Sequence, residues 1–434
     1  MIKDLASHRA WLSAMGMTVL GCGMSAQAQS EFHPLGFLPG GGTNTTASSI
    51  SNLALAGGRV DQVVIAGNGD GPRGREAFRW TLADGMIGLG NLGGGFAFSN
   101  ATGVSSDGTY IIGGAAALLG IEAFRWSIDS GMIGLGDLPG GPFRSEANGI
   151  NGDGTIVVGA SRSVFGPFGD EAFLWTEAGG MIGLGTLVGF DGFSSAEAIS
   201  DDGLVVVGSS GFDVESALPF RWTPTTGMVE MPTLPSQGPN GNALGLSADG
   251  QVAVGWSTDS RGQMAVRWTA AGIEELGRLA SFEGYKLSAS AITDDHAMIV
   301  GWAERGTDLI AWTWTESTGM QTLHDTLTQA GLDLAGWRLG LALDVSFDPQ
   351  SGKTAIVGSG TNPMGQSEAF LAIIDPSPPC RVDLDGDGEA TIFDFLLFQT
   401  LFDAMDPRAD FDGDGLFTVF DFLFFTTAFA DGCP

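Results

Sequence analysis

The chain has 434 residues, with 69 glycines and 43% apolar residues. It therefore has enough apolar surface to fold, and its glycine follows no strict three-residue period of the collagen kind. Fifty acidic side chains stand against 19 basic ones, giving a formal charge of -31, and lysine occurs only at Lys3, Lys286 and Lys353. Binding to phosphate needs clustered lysine and arginine, so nucleic acid and anionic membrane surfaces are poor partners, while cations and solubility outside a cell both suit the charge.

Residues 1–28 read as an export signal. Lys3 and Arg9 precede an apolar stretch from Ala10 to Leu20, and Ala26-Gln27-Ala28 offers a small-residue cleavage site before Gln29. Val19-Leu20-Gly21-Cys22 also resembles a lipoprotein box, and the alternative is a protein anchored through a lipid on Cys22. No later stretch has the roughly 20 uninterrupted apolar residues of a transmembrane helix. The expected location is extracellular or at the cell surface. With the signal removed after Ala28, Cys380 and Cys433 are the remaining cysteines, an even pair expected to form a disulfide in an oxidising compartment.

A repeated sentence organises the chain beyond the signal. Glu76–Gly90 reads EAFRWTLADGMIGLG, Glu122–Gly136 reads EAFRWSIDSGMIGLG, and Glu171–Gly185 reads EAFLWTEAGGMIGLG. Weaker copies lie at Pro219–Met228, Ala265–Gly277 and Ala311–Met320, with a degenerate last one, EAFLAII, at Glu368–Ile374. Trp80, Trp126, Trp175, Trp222, Trp268 and Trp314 are separated by 46, 49, 47, 46 and 46 residues. A second marker recurs as often: a β-branched run ending in glycine, such as IVVG at Ile156 or VVVG at Val205. Asp-Gly pairs before these runs, as at Asp107-Gly108 and Asp202-Gly203, are hairpin signals.

Each period thus holds four short strands, GMIGLG, SxAxxI, xVVG and EAFRWT, which is the size of a propeller blade. The expectation is a mostly β chain whose residues 33–374 form a seven-bladed β-propeller of about 46-residue repeats, since a closed ring removes exposed sheet edges. An open β-solenoid with capping units is the alternative. The first unit begins part-way, at Leu35-Gly36-Phe37, and the last ends part-way, so the two termini can complete one blade together. The AFRW, GM and LG positions and the DGxxVVG hairpins resemble the HAF family of extracellular repeats over roughly 340 residues. That resemblance implies export and repetition and no activity.

Chemistry is scarce in the repeats. Arg79, Arg125, Arg221 and Arg267 share one register position, but Glu76 and Glu122 lie three residues earlier, so local pairing or packing of the arginine stems is expected rather than an anion site. His33, His296 and His324 form no HExxH pattern, no GxSxG elbow occurs, and most acidic residues sit in Asp-Gly turns. No catalytic residues are assigned, and the expectation is a protein without enzyme activity.

A Pro-rich hinge at residues 375–379 leads to a tail, residues 380–434, in which VDLDGDGEATIFDF at Val382 and ADFDGDGLFTVFDF at Ala409 lie 27 residues apart. Calcium takes hard oxygen ligands around a tight turn, and a DxDGDG loop provides them. Two Ca2+ ions are expected. The ligands of the first are Asp383, Asp385, Asp387, the Glu389 carbonyl, Thr391 and Asp394. Those of the second are Asp410, Asp412, Asp414, the Leu416 carbonyl, Thr418 and Asp421, with Asp at position 12 where EF-hands usually have Glu. An aromatic segment at helical spacing follows each loop and no matching helix precedes it.

Loop-then-helix units of this kind resemble a type I dockerin, and the ending Asp431-Gly432-Cys433-Pro434 is similar to the Gly-Cys-terminated dockerin-like domains of exported planctomycete proteins. The resemblance implies docking to a cohesin-like protein or cell-surface scaffold. It assigns recognition to Ile392, Phe393, Gln399 and Thr400, and to Val419, Phe420, Thr426 and Thr427. The apolar pairs in these sets depart from the hydroxyl-rich pattern of cellulosomal dockerins, so a different partner surface is expected. The function read from the sequence is that of an exported, non-catalytic repeat protein assembled through a calcium-dependent tail. The alternative is a dockerin-borne carbohydrate-binding protein or glycoside hydrolase, with a polysaccharide as partner.

Overall fold

Among the described residues, seven antiparallel sheets of four strands follow one another from Glu31 to Ile374. The structure is a computed structural model. It describes residues 30–376, apart from 55, 94–95, 165–168, 189–191, 214–215, 237 and 281–283, and in the tail residues 382, 384, 390–411 and 415–431. The segment expected to be an export signal, residues 1–28 with Cys22, and Cys380 and Cys433 lie outside these residues. The chain forms two compact units, divided between residues 377 and 378.

In the first blade the strands run from the axis outward as Thr45–Ile50, Ile65–Gly71, Gly74–Thr81 and Gly85–Gly88. The SxAxxI segment is therefore the inner strand of each blade and GMIG the outer. The other inner strands are Ser99–Val104, Gly140–Ile150, Phe193–Ile199, Gly241–Leu246, Lys286–Ile292 and Arg338–Phe347. Phe78 and Trp80 pack into one core cluster and Ala77 into the next, as the alternation of a strand buried on both faces requires. Phe78, Phe124, Phe173, Phe220, Trp312 and Phe370 are fully buried at the same register, each contributing up to about 3 kcal/mol by leaving water.

The glycine that ends each β-branched run has a steric cause. A Cβ on Gly67, Gly159 or Gly208 would stand 2.1, 2.0 and 2.0 Å from the carbonyl oxygens of Thr46, Glu146 and Ser195 on the inner strand. That close approach coincides with a β-bulge, because every inner strand shifts register just after its buried alanine, between Ala47 and Ser49 in the first blade and Ala196 and Ala198 in the fourth.

A hydroxyl joins each of several blades to the next. Ser99 Oγ accepts the Ala77 N–H at 2.9 Å and donates to Gly90 O at 2.5 Å; Ser145 and Ser194 do the same for Ala123 with Gly136 and for Ala172 with Gly185. Thr45 repeats the joint between the last blade and the first, through Ala369 N–H and Gly36 O, both at 3.0 Å. The ring is closed. Strand Glu31–Pro34 completes the seventh sheet against Ser367–Ile374, so the two termini share one blade and the open solenoid is ruled out. The ring starts at Glu31, two residues before the boundary expected from the repeats.

One α-helix among the described residues of the ring interrupts the pattern. Helix α1 (Leu323–Gln329) is capped by Thr322, whose side chain accepts the Asp325 N–H, and buries Leu323 and Leu327 against Leu334 and Trp337. In the tail, α2 (Ile392–Asp403) and α3 (Val419–Asp431) pack through equivalent residues of the two copies. Phe398 and Phe425, 27 positions apart and both fully buried, stack with centroids 4.0 Å apart and planes 5° from parallel, while Phe411 meets each ring edge-on.

Candidate functional site

The bulges aim one side chain per blade toward the ring axis: Ser48, Thr102, Asn148, Glu197, Leu244, Ser290 and Leu343 line a cavity of about 230 Å³ there. Two of them reach across to the next blade, Thr102 Oγ1 donating to Ala147 O at 2.7 Å and Asn148 Nδ2 to Ala196 O at 2.9 Å. Asp201, Asp294 and Asp344 join Glu197 on the cavity wall, and among the described residues no lysine, arginine or histidine lines it. Burial pushes the carboxyl of Glu197 upward, as it does those of Asp201 and Asp294, the last also through the charge of Asp201. Asp344 is pushed up to about 6, chiefly by burial. Sequence reading missed this set, since only closure of the ring brings four carboxylates from the fourth, sixth and seventh blades to one axis.

The turns at one end of the inner strands hold other aspartates for structural reasons. Ser200 Oγ donates to Asp202 Oδ1 at 2.6 Å and accepts the Val205 N–H at 3.0 Å. The Ser200 hydroxyl and the Leu204 N–H keep Asp202 below its ordinary value. Gly108, Gly154, Gly203, Gly250 and Gly352 take positive φ at this turn, between 69° and 73°, while the sixth blade puts His296 there at φ 62°.

Three of the four recurring arginines reach the next blade. Arg125 donates to Gly154 O and to Glu177 at 3.1 Å each, with its guanidinium 4.4 Å from the Tyr110 ring centroid and 4.9 Å from that of Trp175. Arg221 donates to Gly250 O at 2.7 Å, and Arg267 lies 4.7 Å over Trp314 while pairing with Glu274. Arg79 meets Asp84 at 3.3 Å. Packing of the arginines is therefore as expected, but the local Glu–Arg pairing is not: positions three apart on a strand point to opposite faces. Glu76, Glu122 and Glu171 instead accept the N–H groups of Gly90, Gly136 and Gly185 at 3.0, 3.0 and 3.1 Å.

In the tail, Asp383, Asp385, Asp387, Glu389, Asp412 and Asp414 lie outside the described residues. Among the described residues no cluster of three or more His, Cys, Asp or Glu side chains could hold a metal ion. The described half of each loop follows one plan. Asp394, without exposed surface, accepts the Leu384 N–H at 2.7 Å on one oxygen and the Thr391 N–H at 2.8 Å on the other. Asp421 repeats this with Phe411 at 2.7 Å and Thr418 at 2.8 Å. Thr391 caps α2 and shares a capping box with Asp394. In the second loop Asp410 accepts the N–H of Gly415, which has φ 77°, at 3.0 Å. Leu416 is 62% exposed, and Thr418 is half-buried.

The residues assigned to recognition by resemblance are mostly exposed: Ile392, Phe393, Val419 and Phe420 at 61, 66, 63 and 59%, with Gln399, Thr400 and Thr427 exposed and Thr426 half-buried. Leu396 and Leu423 extend both patches at the same 27-residue offset, at 52 and 53%.

No protein-family model matches the sequence, and no curated protein matches it. Among solved structures, a putative TolB from Agrobacterium tumefaciens aligns at 14% identity and a TM-score of 0.41, covering 76% of this chain and 99% of that one. TolB from Acinetobacter baumannii aligns at 11% identity and a TM-score of 0.38, over 75% of this chain and 79% of that one. A prolyl endopeptidase aligns at 12% identity and a TM-score of 0.46, over 78% of this chain and 51% of the enzyme. At such scores the likeness says nothing of activity. No helix among the described residues is long and apolar enough to cross a membrane.

Proposed function

We propose that the chain is an exported, non-catalytic propeller assembled outside the cytoplasm through its tail, which binds two calcium ions and docks a cohesin-like partner. The observation that carries the reading is the matched use of Asp394 and Asp421. Each closes its loop by accepting N–H groups from loop positions 2 and 9, next to a run of further aspartates. A buried carboxylate held this way at the end of a DxDGDG run is a hard-oxygen arrangement that suits calcium. Asp410 and Gly415 support it, with the first loop residue accepting the N–H of the left-handed glycine at the bend.

Docking is supported by the paired apolar patches. Ile392, Phe393 and Leu396 on one copy and Val419, Phe420 and Leu423 on the other stay exposed although the tail has an aromatic core of its own. Calorimetric calcium titration of the chelator-stripped full chain tests the metal assignment. Two ions per chain are expected for the wild type and one each for Asp383→Ala and Asp410→Ala. No heat of binding at millimolar calcium would overturn it.

A further inference from the structure

The first blade departs from the repeat at one hairpin, where Pro72-Arg73 joins strands Ile65–Gly71 and Gly74–Thr81. At the register of Arg75 the other blades carry Ile121, Asp170, Ala217, Gln263, Leu309 and Ser367, so this blade alone puts a cation there. Ala77 packs against the second blade; Arg75, two residues earlier on the same strand, faces the same way, and its backbone bridges to that of Phe98. Arg73, Arg75, Asn91 and Phe98 line a cleft of about 240 Å³ between the two blades. The hairpin is braced on both sides. The Gly42 N–H donates to Asp70 O at 2.9 Å, and a Cβ on Gly74 would stand 2.4 Å from Ala97 O of the second blade.

Both guanidiniums are exposed, and among the described residues neither has a hydrogen bond or an ion pair, whereas eight other arginines meet a carboxylate. The acids nearest to them are turned elsewhere. Glu76 accepts the Gly90 N–H at 3.0 Å, as Glu122 and Glu171 do in their own blades, and Asp70, across the ladder from Arg75, lays its carboxylate beside Gly42. Asn91 uses its Oδ1 on the Gly93 N–H at 2.8 Å, which leaves its Nδ2 to donate. Phe98 is half-buried, and its ring centroid lies 6.3 Å from that of Phe96, which is 57% exposed.

We propose that this cleft binds a small organic acid, with its carboxylate on Arg73, Arg75 and Asn91 and its apolar group on Phe98. A guanidinium fork matches a carboxylate edge, and two forks with an amide donor leave the cleft rich in donors on one side and aromatic on the other. Solubility does not account for the free pair, since two cations lower the net charge of a chain with 50 acidic residues against 19 basic ones. The volume falls below the roughly 300 Å³ at which drug-sized pockets begin, so the ligand is about the size of a single substituted ring.

Fluorine NMR of the full chain at low salt, titrated with fluorophenylpropionate, tests the site. One saturable site is expected, with affinity about tenfold lower in Arg73→Gln/Arg75→Gln and about tenfold lower for the neutral fluorophenylpropanol. Arg59→Gln/Arg408→Gln removes the same charge elsewhere and should leave the affinity within about twofold. Both cleft arginines are exposed, so the circular dichroism of their double variant should match the wild type. No binding at millimolar probe, an unchanged affinity in the cleft variant, or an equal loss in the control pair would overturn the proposal. Displacement of the probe by an equal concentration of sulfate would overturn it too, because it would mark a site for any anion.

Discussion

Replacing Ser194 with alanine removes the hydroxyl joint between the third and fourth blades. Ser194 has no exposed surface; its Oγ accepts the Ala172 N–H at 2.8 Å and donates to Gly185 O at 2.6 Å. Alanine leaves one donor and one acceptor without the hydroxyl between two packed sheets. An unsatisfied buried group costs about 1–3 kcal/mol, so the pair amounts to about 2–6 kcal/mol, toward the lower end if a water enters. The Glu171 contact to the Gly185 N–H at 3.1 Å survives the change, so the linker keeps one of its two anchors. Threonine is the control, because Thr45 already makes this joint between the seventh and first blades. Guanidinium unfolding followed by circular dichroism should show Ser194→Ala destabilised by about 2–4 kcal/mol at unchanged slope, and Ser194→Thr within about 1 kcal/mol of the wild type. A loss below about 0.5 kcal/mol for alanine would refute the claim that these hydroxyls hold the blades together.

At the turn of the sixth blade, His296 has φ 62° where five other blades use glycine, and its ring contacts the exposed Asp249 at 3.1 Å. His296→Gly should stabilise the fold by about 0.5–1 kcal/mol in the same assay, since left-handed backbone costs a β-carbon residue about 1–2 kcal/mol and the exposed pair adds little. Arg125→Ala should cost about 2–3 kcal/mol, for the guanidinium lies against Tyr110 and Trp175 and is bonded to Gly154 O and Glu177. Arg79→Ala should cost less than about 1 kcal/mol, because it pairs with the exposed Asp84. Equal losses for the two arginines, measured by denaturant midpoint, would contradict the distinction between them.

The architecture was legible because the sequence repeats itself. The spacing from Trp80 to Trp314 sets the blade length, and the part-way start and finish anticipate the strand Glu31–Pro34 in the last sheet. The β-branched runs ending in glycine located the second strands, although the reason for the glycine, a bulge carbonyl pressed against it, needs the register of two strands at once. What escaped reading lies where a unit departs from the repeat. Helix α1 was signalled by Thr322 and Asp325 with Leu323 and Leu327 one turn apart, a pattern obscured by the surrounding strand periodicity. Asp344 carries no local signal, because its partners Ser49 and Ile50 lie some 295 positions away. Of the two explanations offered for the recurring arginines, packing holds, while pairing with Glu76 and Glu122 fails on strand geometry. In the tail, DxDGDG reads directly as chemistry, because the ligands of each expected ion fall within a dozen consecutive residues.

Limited proteolysis of the oxidised full chain, with calcium and with chelator, asks whether the tail is a calcium-dependent module on a self-sufficient propeller. Calcium should protect residues 380–434 from cleavage, while 31–374 resist equally in both conditions because the ring is closed by its own strands. The same cleavage pattern and rate in the tail with and without calcium would contradict the calcium-module reading.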